Sequence, residues 1–327
     1  MTKIIVLTPV KNEEWILNQF LSITSLFADC IIIANQNSSD NSKEICSRFP
    51  KVHLIENTGE FNEDSRQTLL IETARRLFPD DQRLLFCLDS DEIFSADSLH
   101  YKETWKRLTS LKPGSSIYIE KPDLLFGFQK CIRWKGNYFP CGYMDDGIKH
   151  TPTAIHSRRI PVNPSGDNVY IHDIKILHFA HTRRKVQSAK QRYYSVLENV
   201  KDLSPVYRRR HVYKCFYEDS HYPTEFIEDI PQSWLKEWDD MNINIRELSD
   251  VDFSWHDFEI LSYFKKYGYR KFYLENIWDF DWETCRQLAL KKGHDVPVKP
   301  VVGPGILFSG TAKVVDTAYS LYRRILS

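Results

Sequence analysis

Residues 83–92, Arg-Leu-Leu-Phe-Cys-Leu-Asp-Ser-Asp-Glu, join an apolar run to three acidic side chains. The apolar part, residues 83–88, is typical of a buried strand. Three further runs of this kind come earlier, at residues 3–8, 30–34 and 52–55, and helical patterns lie between them. Four strands that alternate with helices within 92 residues predict a mainly parallel sheet with helices on both faces.

The acids that follow the fourth strand predict a metal site. Ligands of open α/β sheets bind beyond the carboxyl ends of the strands. Asp89 and Asp91 share one face of an extended chain, so both can point at one cation. Mg²⁺ and Mn²⁺ take hard oxygen ligands, usually one or two carboxylates together with substrate phosphate. The alternative is that Asp91 or Ser95 only caps the next helix.

Composition excludes several classes of protein. The 327 residues carry 44 Lys+Arg and 44 Asp+Glu, which argues against a general nucleic-acid-binding surface. Gly59 is the only glycine before residue 114, so neither a dinucleotide fingerprint nor a P-loop can follow the early strands. The seven cysteines are scattered and form no zinc spacing, which indicates reduced thiols in a cytoplasmic protein.

Charge and pattern divide the chain in two. We expect one domain over residues 1–182 and a mainly helical region over residues 183–327. Residues 183–214 contain 10 Lys/Arg and 2 Asp/Glu, whereas residues 217–259 contain 13 Asp/Glu and 2 Lys/Arg. The simplest interpretation is that the basic block pairs with the acidic block.

Three motifs in order resemble glycosyltransferase family 2. Thr8-Pro-Val-Lys-Asn-Glu-Glu14 is similar to the first strand-to-helix turn of that family. Asn35-Gln-Asn-Ser-Ser-Asp40 resembles its second turn, and Asp89-Ser-Asp91 resembles the DxD motif of GT-A-fold enzymes. The resemblance covers about residues 1–95. It implies a GT-A fold, a nucleotide-sugar donor, a divalent cation on the diphosphate and an inverting displacement. It also implies that residues 1–182 are the nucleotide-sugar-binding and catalytic domain, that residues 183–327 complete the acceptor side, and that the basic block could close over the leaving diphosphate.

The resemblance also assigns binding roles. It places the nucleotide sugar against the first two turns, a basic residue one helix before the DxD, and the DxD itself. These residues are Thr8, Pro9, Glu13, Asn35, Gln36, Arg66, Asp89, Ser90 and Asp91. The usual acids of the second turn are amides here, which leaves the choice of nucleotide open. Arg66 could equally be an ordinary surface residue of its helix.

An inverting transferase needs a base, and a later residue often completes the metal shell. Asp146 and Asp145, in the turn-like segment 142–147, are the predicted base candidates, and Asp173 is the reserve. An ordinary Asp-Gly turn is the alternative reading. His178, on a His-rich strand, is the predicted third metal ligand beside Asp91 and Asp89, ahead of His181.

Together these features predict a metal-dependent glycosyltransferase that uses Mn²⁺ or Mg²⁺ and a nucleotide-diphosphate sugar. The acceptor would be a glycan or a lipid-linked hydroxyl. The alternatives are a non-catalytic carbohydrate- or nucleotide-binding protein on a transferase fold and a metal-dependent phosphoester hydrolase. The amphipathic tail, residues 312–326, could make a peripheral contact with the inner membrane, dock on the protein or form a dimer contact. Removal of residues 304–327 tests the membrane contact.

Overall fold

Four parallel strands form the first half of the sheet in the computed structural model. The structure describes residues 1–59, 62–151, 158–213, 224–246 and 248–326. The chain starts with β1 (Thr2–Val10), α1 (Glu14–Thr24), β2 (Cys30–Asn35), α2 (Ser42–Ser47), β3 (Val52–Glu56), α3 (Glu63–Leu77) and β4 (Gln82–Cys87). These strands lie in the order β4-β1-β2-β3, and each pairs with its neighbours in parallel.

Alternation along β1 explains why helices cover both faces. Val6 and Val10 belong to the core cluster that contains the apolar residues of α1. Ile5 and Leu7 face the other way, into a second cluster with Leu70 of α3. All six residues of β2 are buried, as expected for a parallel strand that is covered on both sides.

The second half of the sheet is mixed. It contains β5 (Glu92–Phe94), β6 (Ser116–Glu120), β7 (Asp123–Leu124), β8 (Lys130–Ile132), β9 (Tyr138–Met144), β10 (Asn168–His178) and β11 (Ile227–Asp229), with α4 (Lys102–Thr109) between β5 and β6. In the described residues the order is β11-β8-β7-β10-β6-β9-β4-β1-β2-β3, and β5 pairs with β10. The predicted mixed, mainly parallel α/β sheet flanked by helices is therefore confirmed.

Strand β9 is inserted antiparallel between β4 and β6. Its neighbours approach so closely that a Cβ on Gly142 would lie 3.0 Å from the Phe86 ring. Because β9 runs against β4, its carboxyl end lies at the amino end of β4, on the edge of the sheet opposite to Asp89 and Asp91.

The chain forms two compact units. The sheet unit comprises Met1–Thr182 and Tyr222–Ser249, and the helical unit comprises Arg183–His221 and Asp250–Ser327. Residues 222–249, which the sequence grouped with the C-terminal region, thus belong to the sheet unit and supply β11 and α7 (Lys236–Asp240).

The helical unit is built on buried ion pairs and aromatic contacts. Its helices are α5 (Arg184–Val200), α6 (Val206–Val212), α8 (Trp255–Tyr267), α9 (Trp282–Lys291) and α10 (Ile306–Leu326). Arg192 of α5 pairs with Asp257 of α8 at 2.8 Å, and both side chains are almost fully buried. No helix among the described residues has the length and apolarity needed to cross a membrane. The peripheral contact predicted for the tail stays a prediction.

Candidate active site

The first two turns of the sheet unit are bound to each other. Asn12, which has a left-handed backbone (φ 57°), donates its N–H to Ser38 Oγ and accepts from Ser39 N–H at 2.7 Å. Glu14 donates its N–H to Asp40 Oδ2 and accepts from Asn41 N–H. The first two of the three motifs described above therefore hold each other in place at the carboxyl edge of β1 and β2.

Three predicted nucleotide contacts lie in or next to the first turn. Thr8 and Pro9 are the residues of β1 that pair with Ile33 and Ala34 of β2. The Thr8 Oγ1 is buried, and within the described residues it has no hydrogen-bond partner. The Glu13 carboxylate accepts a hydrogen bond from Trp15 Nε1 at 2.7 Å, so this side chain helps to hold its own turn.

The side-chain amides of the second turn form hydrogen bonds within the protein. Asn35 donates to Glu56 Oε2 at 2.9 Å. Gln36 donates to the Gly59 carbonyl at 2.6 Å and accepts from Asn57 Nδ2 at 2.8 Å. These contacts tie the second turn to the loop after β3. Arg66 lies in the first turn of α3, which begins at the same edge of the sheet, and is half-buried.

The acidic cluster starts where β4 ends. Leu88 donates its N–H to the Leu7 carbonyl, and Asp89 donates its N–H to Glu92 Oε2 at 3.1 Å. Glu92 is fully buried at the start of β5, and Ser90 is buried as well. The chain therefore turns sharply between the two strands, and this turn presents Asp89 and Asp91 at the carboxyl edge of the sheet.

Arg159 is a site residue that the sequence did not reveal. Its guanidinium forms ion pairs with Asp89 Oδ2 and with Glu92 Oε2, and Lys121 Nζ lies 2.9 Å from Glu92 Oε1. Burial disfavours the charged form of Glu92, but the charges of Arg159 and Lys121 outweigh burial and lower the pKa of that carboxyl. Asp89, predicted as a metal ligand, is thus already neutralised by a protein cation.

Asp91 is placed differently from Asp89. No described side chain donates a hydrogen bond to its carboxylate, and His178 Nε2 lies 3.7 Å from its Oδ2. Strand pairing brings the two together, because Glu92 of β5 is opposite His178 of β10 and the Asp91 carbonyl accepts from Phe179 N–H. The alternative ligand, His181, lies next to His178 with 6.2 Å between the ring centroids.

Asp123 fixes the orientation of His178. The imidazole Nδ1 is hydrogen-bonded to Asp123 Oδ1, and the two residues are opposite each other in the pairing of β7 with β10. Burial opposes ionisation of Asp123, but the hydrogen bond and charge of His178 overcome it and lower the pKa of the carboxyl. A carboxylate on one imidazole nitrogen is the usual support of a metal-ligating histidine. We call Asp91, His178 and Asp123 the carboxylate–histidine site.

The predicted base residues lie at the wrong edge of the sheet. Asp145 donates its N–H to the Arg83 carbonyl at the start of β4, whereas Asp89 follows the end of that strand. Six residues of strand correspond to about 20 Å. Asp145 and Asp146 therefore cannot deprotonate a substrate bound at Asp91, and that prediction is wrong because β9 is antiparallel to β4.

Both acids have structural partners instead. Asp145 is fully buried and pairs with Arg75 at 2.7 Å and with Arg83 at 2.8 Å. Asp146 accepts from Tyr143 Oη and from Asn163 Nδ2. The reserve candidate, Asp173, accepts from Thr104 Oγ1 of α4 at 2.6 Å.

Replacing Asp145 with asparagine should lower the free energy of unfolding by about 3 kcal/mol, because the partly buried Arg83 loses its carboxylate partner and Arg75 keeps only the exposed Glu72. Burial opposes ionisation of Asp145, but its bonds from Arg75 and Arg83 lower the pKa of the carboxyl. Its stabilising contribution is therefore complete above about pH 4 and is lost as the pH falls below that value. Urea denaturation between pH 3 and pH 7 should show that the stability difference between wild type and Asp145→Asn shrinks in acid.

The control is Asp80→Asn, a change at an exposed residue, which should change stability by less than about 0.5 kcal/mol. A similar loss in both variants would contradict this role of Asp145.

Two residues of the basic block form ion pairs within the helical unit. Arg192 is buried against Asp257, and Lys185 Nζ pairs with Asp252. These two side chains thus pair with the acidic block, which is the alternative that the sequence offered. Closure of the basic block over a leaving diphosphate stays a prediction.

Comparison with known proteins gives remote structural similarities. No protein-family model and no curated protein matches the chain. The chain is similar to a solved 4-diphosphocytidyl-2C-methyl-D-erythritol synthase, with 13% identity over 44% of this chain and 74% of that one and a TM-score of 0.32. It is similar to glucosyl-3-phosphoglycerate synthase from Mycobacterium tuberculosis, solved with Mn²⁺, UDP and glucosyl-3-phosphoglycerate, with 18% identity over 38% and 44% of the chains and a TM-score of 0.24. A third structure, mannose-1-phosphate geranyltransferase from Thermus thermophilus, gives 12% identity over 44% and 50% of the chains and a TM-score of 0.28.

Proposed function

We propose that this chain is a divalent-cation-dependent glycosyltransferase, which moves a sugar from a nucleotide-diphosphate donor to a hydroxyl acceptor with inversion. The observation that carries the proposal is the carboxylate–histidine site at the carboxyl edge of a parallel sheet, next to two turns that are bound to each other. This edge is where open α/β sheets bind their ligands.

The residues present fit a divalent cation. Asp91 offers a carboxylate that receives no hydrogen bond from a described side chain, and His178 directs Nε2 towards it while Asp123 holds Nδ1. The described residues contain no group of three or more potential ligands. Two protein ligands are nevertheless sufficient where substrate phosphate and water complete the shell. When bound, the cation would neutralise the diphosphate and so make it a better leaving group.

The protein's own groups would then have distinct tasks. Asp91 and His178 would hold the cation, and Arg159 would keep Asp89 and Glu92 in position. In the transfer, the bond between the anomeric carbon and the diphosphate oxygen breaks, and the acceptor oxygen bonds to that carbon. The acceptor proton passes to a base, and Asp145 and Asp146 cannot serve as that base because they lie at the opposite edge of the sheet.

A non-catalytic binding protein is the second candidate, and one observation favours it. Asp89, the first acid of the DxD, is paired with Arg159. Release of nucleoside diphosphate from a nucleotide sugar in the presence of a sugar acceptor would distinguish an enzyme from a binding protein.

The experiment that tests the proposal is titration with UDP, GDP, CDP and dTDP in Mn²⁺, in Mg²⁺ and in chelator. One nucleotide should bind at least about tenfold more tightly with metal, and Mn²⁺ should act better than Mg²⁺ because an imidazole nitrogen suits Mg²⁺ poorly. His178→Ala should remove the metal dependence. His172→Ala, a change on the same strand at an exposed residue, should preserve it. Equal binding of every nucleotide in metal and in chelator would overturn the proposal.

A further inference from the structure

A cavity of about 190 Å³ lies beside the carboxylate–histidine site. Its polar and aromatic lining includes Glu120, Lys121, Asp123, Arg133, Trp134 and Asn137. One of these residues, Asp123, belongs to the site itself, where it holds His178. A second, Lys121, pairs with Glu92, the residue after Asp91. A molecule in the cavity would therefore be separated from Asp91 by no more than two side chains.

The charges of the cavity cancel. Two lining acids, Glu120 and Asp123, balance Lys121 and Arg133. Both cations are already paired with carboxylates: Arg133 binds Glu120 at 2.8 Å and Glu228 at 3.0 Å, and Lys121 binds Glu92. A phosphate ligand binds best to cations that are not already paired with carboxylates. The lining therefore suits a ligand that is polar and uncharged.

The cavity also has an aromatic wall. Trp134 is 43% exposed although its ring packs on Phe226, with 3.9 Å between the ring centroids. Phe139 is the second aromatic residue of the lining, and Lys121 Nζ lies 4.2 Å above its ring. An aromatic face accepts the C–H groups of a pyranose, while nearby carboxylate and amide groups bind the hydroxyls.

We propose that this cavity binds one uncharged sugar ring, with Trp134 as its stacking platform and Glu120 and Asn137 as hydrogen-bonding groups. Cavities for drug-sized ligands have volumes of roughly 300–1,000 Å³. The smaller volume here fits a single ring rather than a whole nucleotide. The inference extends the proposed function, under which the ring belongs either to the donor sugar or to the acceptor.

The test compares wild type with Trp134→Ala, Trp134→Phe and the control Tyr267→Ala, which removes an exposed ring of the helical unit. For each protein, calorimetry gives the affinity of nucleotide sugars relative to the parent nucleoside diphosphate in Mn²⁺. Saturation-transfer NMR measures binding of methyl glucoside, galactoside, mannoside and N-acetylglucosaminide. In Trp134→Ala, the gain in affinity that the sugar ring provides should fall about tenfold, whereas the affinity for nucleoside diphosphate should stay unchanged. Trp134→Phe should retain most of it, and Tyr267→Ala all of it.

The outcomes separate the two sources of the ring. Loss of the preference for nucleotide sugar over nucleoside diphosphate identifies the donor ring, whereas loss of methyl glycoside binding alone identifies the acceptor ring. If Trp134→Ala binds both sets of ligands as wild type does, or if wild type binds neither, the inference is overturned. If methyl glycosides bind through Trp134 but no nucleotide binds at all, the cavity stands as a sugar site and the proposed transferase function fails.

Discussion

Replacing Asp91 with asparagine should abolish the metal-dependent part of nucleoside diphosphate binding. An asparagine keeps the shape of the side chain but removes the negative charge that would bind the cation. No described side chain donates a hydrogen bond to the Asp91 carboxylate, so its main partner in the proposed site is the cation itself. For wild type, a ligand at about 100 times its dissociation constant raises the free energy of unfolding by ~2.7 kcal/mol. A variant that binds a hundredfold more weakly would gain only ~0.4 kcal/mol from the same ligand. Turnover should fall by about 10²–10³-fold or more, since charge stabilisation of the leaving group is lost.

The matched control is Asp80→Asn, which makes the same charge change beside the start of β4, at the opposite edge of the sheet. Thermal unfolding with and without Mn²⁺, at a fixed concentration of the preferred nucleotide, measures both variants. The control should show the wild-type shift. A wild-type shift in Asp91→Asn as well would remove Asp91 from the metal site and leave it as a residue of the β4–β5 turn.

The parallel part of the sheet was predictable because its signals are local. Each of the strands β1, β2 and β3 is a short apolar run followed by a helix, and β4 is a fourth such run. Both periodicities can be identified within about ten residues. The acidic cluster was predictable for the same reason, since Asp89 and Asp91 follow β4 directly. His178 could be proposed because it lies at the end of an apolar strand, and the structure brings it to Asp91.

The position of Asp145 and Asp146 in the sheet could not be predicted because it depends on strand direction. The segment that holds Asp145 and Asp146 resembles a loop after the DxD, but β9 runs antiparallel to β4 and carries both acids to the opposite edge. Nothing in the residues of β9 distinguishes a parallel from an antiparallel partner. Direction is set by the pairing of β9 with β4 and β6, which are far away in sequence.

The contacts of Arg159 with Asp89 and of Asp123 with His178 could not be predicted from the sequence either. Arg159 lies 70 residues from Asp89 along the chain, and Asp123 lies 55 residues from His178. Each is a single charged residue without a motif around it. Asp123 meets His178 only in the folded sheet, in which the end of β10 lies between β5 and β7. Arg159 reaches Asp89 and Glu92 from the segment between β9 and β10.

Replacing Arg159 with methionine should destabilise the sheet unit by about 3 kcal/mol, the lower end of the cost of breaking a buried ion pair. Glu92 is fully buried and would keep only Lys121 as a cation, while Asp89 would lose its partner. Adding Glu92→Gln should recover part of the loss, because the carboxylate that needs a counter-charge is then absent. The double variant should therefore be more stable than the sum of the two single changes implies. Urea denaturation of the four proteins measures this coupling.

The dependence on pH gives the second measurement. Burial opposes ionisation of Glu92, but Arg159 and Lys121 lower its pKa. The stabilising contribution of Glu92 is therefore complete above about pH 4.3 and is lost as the pH falls further. The difference between wild type and Arg159→Met should consequently shrink in acid, where the buried carboxyl of the variant becomes neutral. Arg76→Met removes an exposed arginine of α3 and should alter stability by less than about 0.5 kcal/mol at every pH. A loss at neutral pH that is equal in the two arginine variants would show that Arg159 contributes no more than a surface charge, and it would leave Lys121 as the cation that compensates Glu92.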